Sequence, residues 1–257
     1  LYRAVGIADK KSTMPVLAHV LLKAESGVGL TVSATDLDVG IQGTYQADVQ
    51  VSGSVSVNAK HLFEIIKSLT SDSISLEVKD NYWIEVHSGA FKTNLVGMNA
   101  EEFPALPEPG DIKTFKVPAD ALIQMIDRTL FCVSTDDNRH NLSGVYCEST
   151  ESGLLRMVAT DGHRLALSEH QFDCDISLSQ GVIVPRKGFQ ELKRVLSDGD
   201  STKEVELGFS ERNGILKTDS VTLTTRLVEG RFPDYQQVIP SSSNKTLKVS
   251  KPRLAEA

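Results

Sequence analysis

Cysteine is scarce in this sequence: Cys132, Cys147 and Cys174 are odd in number and scattered. They form neither a disulfide framework nor a metal-type pair spacing, and a reducing compartment is the simpler reading. Long apolar runs are missing as well. No stretch approaches the ~18–20 residues that span a bilayer, and no basic segment leads into an apolar one as in a signal peptide. The first residue is Leu1 rather than Met, which is read as the loss of an N-terminal segment. A surplus of positive charge is also absent. Lys and Arg number 27 against 34 Asp and Glu, a formal net charge of −7. That excludes a chain coated with basic surface, while leaving room for a local basic stripe. No Walker loop, GxGxxG, GxSxG or cluster of metal ligands occurs, so no metal and no cofactor is expected. Hydrophobic residues at 40% and charged residues at 24% are the balance of a globular chain. The 257 residues suit one large or two ordinary domains.

The chain repeats itself. Leu30-Thr-Val-Ser-Ala-Thr-Asp36 aligns with Leu155-Arg-Met-Val-Ala-Thr-Asp161, and the stretch from Val55 to Glu64 with that from Val182 to Glu191. Glu25-Ser-Gly27 aligns with Glu151-Ser-Gly153, and Leu95-Val96 with Phe103-Pro104 aligns with Leu227-Val228 and Phe232-Pro233. All four matches keep the same order at offsets of 125 to 132 residues. Lys245-Thr-Leu-Lys-Val249 then matches Lys113-Thr-Phe-Lys-Val117, the opening of the second copy. The reading is a first unit over 1–112 that lacks its own opening, a second over 113–244, and the start of a third over 245–257. A protein of three repeats, present as a fragment, is expected.

Within each copy the periodicities agree. Residues 16–24, 30–34, 55–57, 74–78, 83–86 and 91–95 read as short antiparallel strands, with Asp80-Asn81 and Ser88-Gly89 as turns. Leu62, Phe63, Ile65, Ile66 and Leu69 give residues 59–69 one apolar helical face. Phe189, Leu192, Val195 and Leu196 do the same for 186–196, as do Leu122, Ile123, Met125, Ile126 and Leu130 for 118–131, where Pro118 and Asp120 suit a helix start. Each unit is therefore α+β, two helices on antiparallel strands. Residues 97–112, rich in Pro and Glu, read as the connection between units.

Split by unit, the charge is −6, −4 and +3 for the tail. Cations nevertheless recur on the helices at matched positions: Lys60 aligns with Lys187, and Lys67 with Arg194. Arg186 and Lys193 share that second-unit helix, Arg128 lies on the helix before it, and Lys10-Lys11 sit in an early loop. One reading is a set of ordinary solvated helix faces. The other is a common electropositive surface that contacts phosphates without reading bases.

The one constellation that invites a catalytic reading is Thr160-Asp161-Gly162-His163-Arg164. Asp161 and His163 form an acid–base pair on that reading. Asp-Gly is a strong hairpin dipeptide, however, so a β-turn with a binding role is the better account. The matching loop of the first unit, Thr35-Asp36-Leu37-Asp38, keeps the turn and lacks the Gly-His-Arg, as expected either for a task specific to the second unit or for drift after duplication.

The strings Val158-Ala-Thr-Asp-Gly-His-Arg-Leu-Ala166, Val182-Ile-Val-Pro-Arg-Lys-Gly188 and Leu227-Val-Glu-Gly-Arg-Phe-Pro-Asp-Tyr235 resemble the β sliding clamp family of bacterial DNA polymerase III. Thr13-Met-Pro-Val-Leu17 and Ala34-Thr-Asp-Leu37 match its first domain, and the resemblance covers essentially the whole chain. It implies the DNA-clamp fold: three similar domains per subunit, two subunits head to tail in a closed ring, helices lining the hole and strands outside. It implies no catalysis. It also implies that duplex DNA is held by topology rather than affinity, and that a tethered polymerase gains effective concentration at the primer end. Because that ring pairs a first domain with a third, the chain as given is expected to be a monomer or to associate weakly, and the full-length protein to be a homodimer ring.

The resemblance carries over two site sets. Toward duplex DNA, without regard to sequence, it implies Lys11, Lys60, His140 and Asn141, to which the helix start adds Arg186 and Lys187; a polar contact position of the family falls on Asp136, an acid. Toward short peptides of the replicative polymerase, clamp loader and repair proteins it implies a pocket of Leu142, Thr160, Gly162, His163, Arg164, Leu165, Pro233 and Val238, with Gln237 where the family has an arginine. Leu142, Leu165, Pro233 and Val238 offer an apolar cleft for Leu and Phe anchors, and Thr160 and His163 polar groups for the rest of the peptide. A cytoplasmic, nucleoid-associated location without membrane contact is expected. The alternative function is a clamp-fold scaffold for peptides that is not threaded on DNA, and a more distant one a hydrolase using Asp161 and His163.

Overall fold

The computed structural model describes residues 1–9, 12–106, 112–136, 138–176, 178, 180–197, 204–240 and 242–257. Helix α1 (Tyr2–Ile7) is followed by strands β1 (His19–Glu25), β2 (Gly29–Thr35), β3 (Val39–Tyr45) and β4 (Gly53–Asn58), then α2 (Ala59–Ser68). Strands β5 (Ser75–Val78), β6 (Ile84–Ser88), β7 (Phe91–Leu95) and the short β8 (Gly97–Met98) complete the first unit. The second unit runs β9 (Thr114–Pro118), α3 (Ala119–Thr129), β10 (Gly144–Ser149), β11 (Leu155–Thr160), β12 (Leu165–His170), β13 (Val182–Pro185), α4 (Arg186–Ser197), β14 (Glu204–Phe209), β15 (Asn213–Lys217) and β16 (Val221–Arg226). A short exposed helix α5 (Lys251–Glu256) ends the chain.

The α+β reading holds, with two helices in each unit. Several details differ from the expectation. The apolar run expected as a strand from Val16 begins as a 3-10 turn over Pro15–Ala18, because Pro15 fixes its own φ and has no N–H to give a ladder. Pro118 ends β9 and stands at the N-cap, so α3 starts one residue later. The stretch expected as a plain connection contributes β8, which pairs with β4, and buries Phe103. Helix α1 has no counterpart in the sequence reading.

Burial explains the helices that were expected. Gly188, Phe189, Leu192 and Val195 are the buried side of α4, a spacing of one, four and seven residues that keeps them on one face. Each large apolar side chain removed from water there contributes about 1.5–3 kcal/mol. Asn58 starts α2 by accepting the His61 N–H at 3.1 Å, as an N-cap does.

The units do not keep separate sheets. One antiparallel sheet of nine strands runs β8-β4-β1-β2-β3-β16-β15-β14-β9, and β3 with β16 joins the first unit to the second. The joint is extended by Arg226 N–H to the Asp38 carbonyl at 2.7 Å and Thr44 N–H to the Ser220 carbonyl at 3.2 Å. A four-stranded sheet, β12-β11-β10-β13, and a three-stranded sheet, β5-β6-β7, stand apart. The helices line up as α2-α1-α4-α3, each touching the next. Helix α2 packs on β1 and β4, α1 on β2 and β3, α4 on β13 and β16, and α3 on β9, β11 and β12. One continuous apolar core, from Ala4 to Leu227, fills the space between helices and sheets.

Candidate functional site

The helix row is where positive charge collects. Helices α1 to α4 carry eight Lys and Arg and four Asp and Glu, a surplus of four positive charges in a chain of net −7. The sequence anticipated cations here, but not how they are held. Lys60 Nζ lies 3.5 Å from Glu64 one turn on. Lys193 Nζ reaches across to Asp127 on α3 at 2.5 Å. Arg194 lies 3.3 Å from Glu191, its guanidinium 4.8 Å above the Tyr2 ring of α1. Lys187 is bound to Asp36 of the β2–β3 loop, so this expected phosphate contact is committed to the joint between units. Arg186, Arg128 and Lys67 pair with no acid among the described residues.

Lys11 lies outside the described residues. His140 and Asn141 occupy a 3-10 turn, His140–Leu142, whose following Ser143 carbonyl accepts the Arg186 N–H at 3.2 Å. The fold thus brings His140 and Asn141 to the N-terminal end of α4, beside Arg186. The side chain of Asn141 turns instead to the Arg231 carbonyl at 3.3 Å. Lys60 belongs to α2, at the other end of the row. Asp136 is exposed, its carboxylate engaged by the Asn138 N–H and amide and by Arg139.

The second set gathers on the outer side of β10, β11 and β13. A satellite apolar cluster of Leu142, Val158, Ile183, Phe232 and Tyr235, with Leu165, Tyr146 and Val228 against it, is separate from the main core. Leu142 forms its floor at 7% exposure. Leu165 is half-buried and Pro233 exposed. Val238 stands 68% exposed on the 3-10 turn Tyr235–Val238. The result is an apolar surface site, buried at its base and exposed at Pro233 and Val238, with a polar rim.

The loop 161–164 forms that rim. Asp161 Oδ1 accepts the N–H groups of His163 at 2.9 Å and Arg164 at 3.0 Å, and Oδ2 accepts Arg164 Nε at 2.9 Å. These bonds hold its carboxyl down at about 2. Both oxygens are therefore engaged within the loop, and Asp161 does not meet the His163 ring as the base of a catalytic pair would. The turn is four residues long rather than a two-residue Asp-Gly hairpin, and Gly162 sits at φ 88°, where a side chain is strained. Arg164 continues to the Phe131 carbonyl at 2.8 Å, above the exposed Phe131 ring. Thr160, expected to hold peptide, spends its hydroxyl on the loop: it donates to the Arg164 carbonyl at 2.7 Å and accepts the Gly162 N–H at 3.1 Å. His163 is exposed at this rim, and among the described residues its ring makes no hydrogen bond or ion pair.

Sequence reasoning missed the support beneath the cleft. Tyr146 and Phe232 stack with centroids 4.9 Å apart. Arg156 Nη1 donates to the Tyr235 hydroxyl at 2.7 Å and to Glu148 at 3.1 Å, while its Nε donates to Glu169 at 2.6 Å. The Tyr235 hydroxyl donates onward to Glu148 at 2.5 Å. Burial, then the nearby Glu148 carboxylate, pushes the Tyr146 phenol up to about 12, keeping it neutral. The alternation of β10 and β11 marks these polar positions as outward; only the fold shows that Tyr235 covers them.

No helix among the described residues is long and apolar enough to cross a membrane, and no three His, Cys, Asp or Glu of the described residues cluster as metal ligands do.

With this geometry the comparisons agree. The family model for the DNA polymerase III beta subunit, N-terminal domain, matches residues 1–107, and that for its central domain matches residues 116–234. The beta sliding clamp of Caulobacter vibrioides is 34% identical over all of this chain and 71% of its own length. A crystal structure of the DNA polymerase sliding clamp from Caulobacter crescentus superposes with a TM-score of 0.87 at 34% identity, over 93% of this chain and 65% of that one. A sliding clamp from Pseudomonas aeruginosa bound to griselimycin gives 0.85 at 35%, over 95% and 65%. The chain therefore spans about two thirds of the solved clamps it matches, and it belongs to the β sliding clamp family of DNA polymerase III, the non-catalytic processivity factors.

Proposed function

We propose that the helix row faces duplex DNA inside a closed ring and that the satellite cleft docks the short peptides of polymerase, clamp loader and repair proteins. The observation that carries this reading is the placement of charge: a surplus of four positive charges on one row of helices, with the rest of an acidic chain repelling DNA elsewhere. Contacts of this kind are sequence-independent and salt-sensitive, which suits sliding. The cluster supports docking because it stands apart from the main core, with Leu165 half-buried and Pro233 and Val238 exposed beside it, Val238 free to close on an anchor. Lys60, Arg186, His140 and Asn141 are assigned to the DNA side and Leu142, Gly162, His163, Arg164, Leu165, Pro233 and Val238 to the peptide side. Lys187 and Thr160 keep structural tasks in the free chain, and Lys11 is assigned by family position alone.

The repeat supports ring closure. Strands β3 and β16 join the two units. By the repeat, β12 is the counterpart of β3 and β7 that of β16, and each ends its sheet with an open edge. Those edges are suited to the same join with another unit, giving a head-to-tail homodimer of three-unit subunits, divided here at 112/113 and 244/245. Action in the cytoplasm, at the nucleoid, follows from that role. The test is to load the intact gene product with its clamp loader and ATP onto nicked circular DNA, isolate the complex and cut the circle once. Loss on linearisation is expected. Retention despite the cut would show ordinary surface binding, and no retention with an active loader would favour the peptide scaffold.

A further inference from the structure

Two of the cations on the helix row are held by acids that the fold does not otherwise need. Glu64 and Asp127 are each more than half exposed at the side chain, and among the described residues their carboxylates make no hydrogen bond or ion pair beyond those with Lys60 and Lys193. The other two acids differ: Asp36 also caps its own loop through the N–H groups of Asp38 and Val39, and Glu191 supports Arg194 between α4 and α1. We propose that Glu64 and Asp127 are intramolecular competitors for phosphate, which keep Lys60 and Lys193 paired when DNA is absent and set the helix row to bind duplex weakly. The proposal rests on the helix row being the DNA face. A phosphate that takes Lys60 or Lys193 must displace a carboxylate, so part of the attraction is cancelled at the contact itself. Exposed pairs of this kind are weak, which suits a competitor that yields quickly as the next phosphate arrives. Position matters more than sign here, because the chain carries 34 acids and among the described residues only these two sit on lysines of the row without another task.

The test uses the 257-residue chain and a fluorescein-labelled 30-base-pair duplex, with anisotropy read from low to physiological salt. The E64Q/D127N double variant is expected to bind about three- to tenfold tighter at low salt. Its salt slope should steepen by about 0.9 for each lysine released to phosphate. E151Q, which removes one charge from the exposed β10–β11 turn, measures the effect of net charge alone and is expected to change affinity far less. Equal gain per charge from E151Q would overturn the competitor role, since the effect would then be global. No gain in the double variant, while Lys60→Ala still weakens binding, would overturn it and leave the DNA face standing. No binding by any variant, with Lys60→Ala silent, would overturn both.

Discussion

Asp161 sets the shape of the loop at the rim of the cleft, and it does so as a carboxylate. Its folded pKa of about 2 lies below the ordinary value near 3.8. Such a depressed acid stabilises the loop fully above pH about 4, and that contribution is lost as pH falls from there toward 2. The protection factors of the amides of residues 161–165, from NMR exchange corrected for its intrinsic pH dependence, are expected to stay constant from pH 8 to 5 and to fall only below about 4. A transition between pH 5 and 7 would count against this account. Asp161→Asn should loosen the same amides at neutral pH. The turn itself was legible in Asp161-Gly162; the internal use of the Thr160 hydroxyl was not, because that depends on a four-residue loop length that the dipeptide does not fix. Arg156 was illegible for a different reason: Tyr235 lies 79 positions away, and no local pattern reports such a contact. Arg156→Met leaves Glu148 with the Tyr235 hydroxyl but without its cation, and releases the Tyr235 turn. It should lower stability by about 1–3 kcal/mol, measured by urea unfolding, and weaken binding of a Leu/Phe-anchored peptide. Unchanged values for both would show that Arg156 is not what holds the turn.

Helices α2, α3 and α4 were the most legible elements because their buried faces recur every three to four residues, while the short α1 was not seen; strand boundaries were the least legible, because Pro15 and Pro118 move them by local φ alone. The close packing of α4 on β16 was not legible at all. A Cβ added at Gly188 would lie 2.7 Å from Thr225 Oγ1 and 3.2 Å from its Cβ. Alanine at a helix position gains about 1 kcal/mol over glycine by propensity, but Thr225 is buried, β-branched and unable to swing away. The clash is expected to win, so Gly188→Ala should destabilise. Thr225→Ala removes the nearest atom, and the double variant should lose less than the two single changes added together. A Gly188→Ala protein at least as stable as the parent would show that α4 shifts off β16 freely.

The repeat was legible across the whole molecule, since four matches in order fix two units, but the way the units join was not. Register and edge pairing depend on which strands end a sheet, and the sequence of β3 carries no mark that its partner is β16, some 180 residues later. The join makes a prediction about cooperativity. Strands of both units share one nine-stranded sheet, one core runs from Ala4 to Leu227, and Lys187 reaches back to Asp36. Unfolding one unit would therefore strip the β3–β16 ladder and half of a shared core from the other, so the two should melt together. Trp83 is the single tryptophan and lies in the first unit, which makes its fluorescence a reporter of that unit, whereas far-UV circular dichroism reports strands and helices of both. The two urea curves are expected to coincide. In Asp36→Ala, which removes the loop's cap and the Lys187 partner at once, the Trp83 curve should move to lower urea and part from the dichroism curve, because the joint then costs less to open than either unit costs to unfold. Two separate transitions in the parent chain would mean that the shared sheet holds the units in place without coupling their stability.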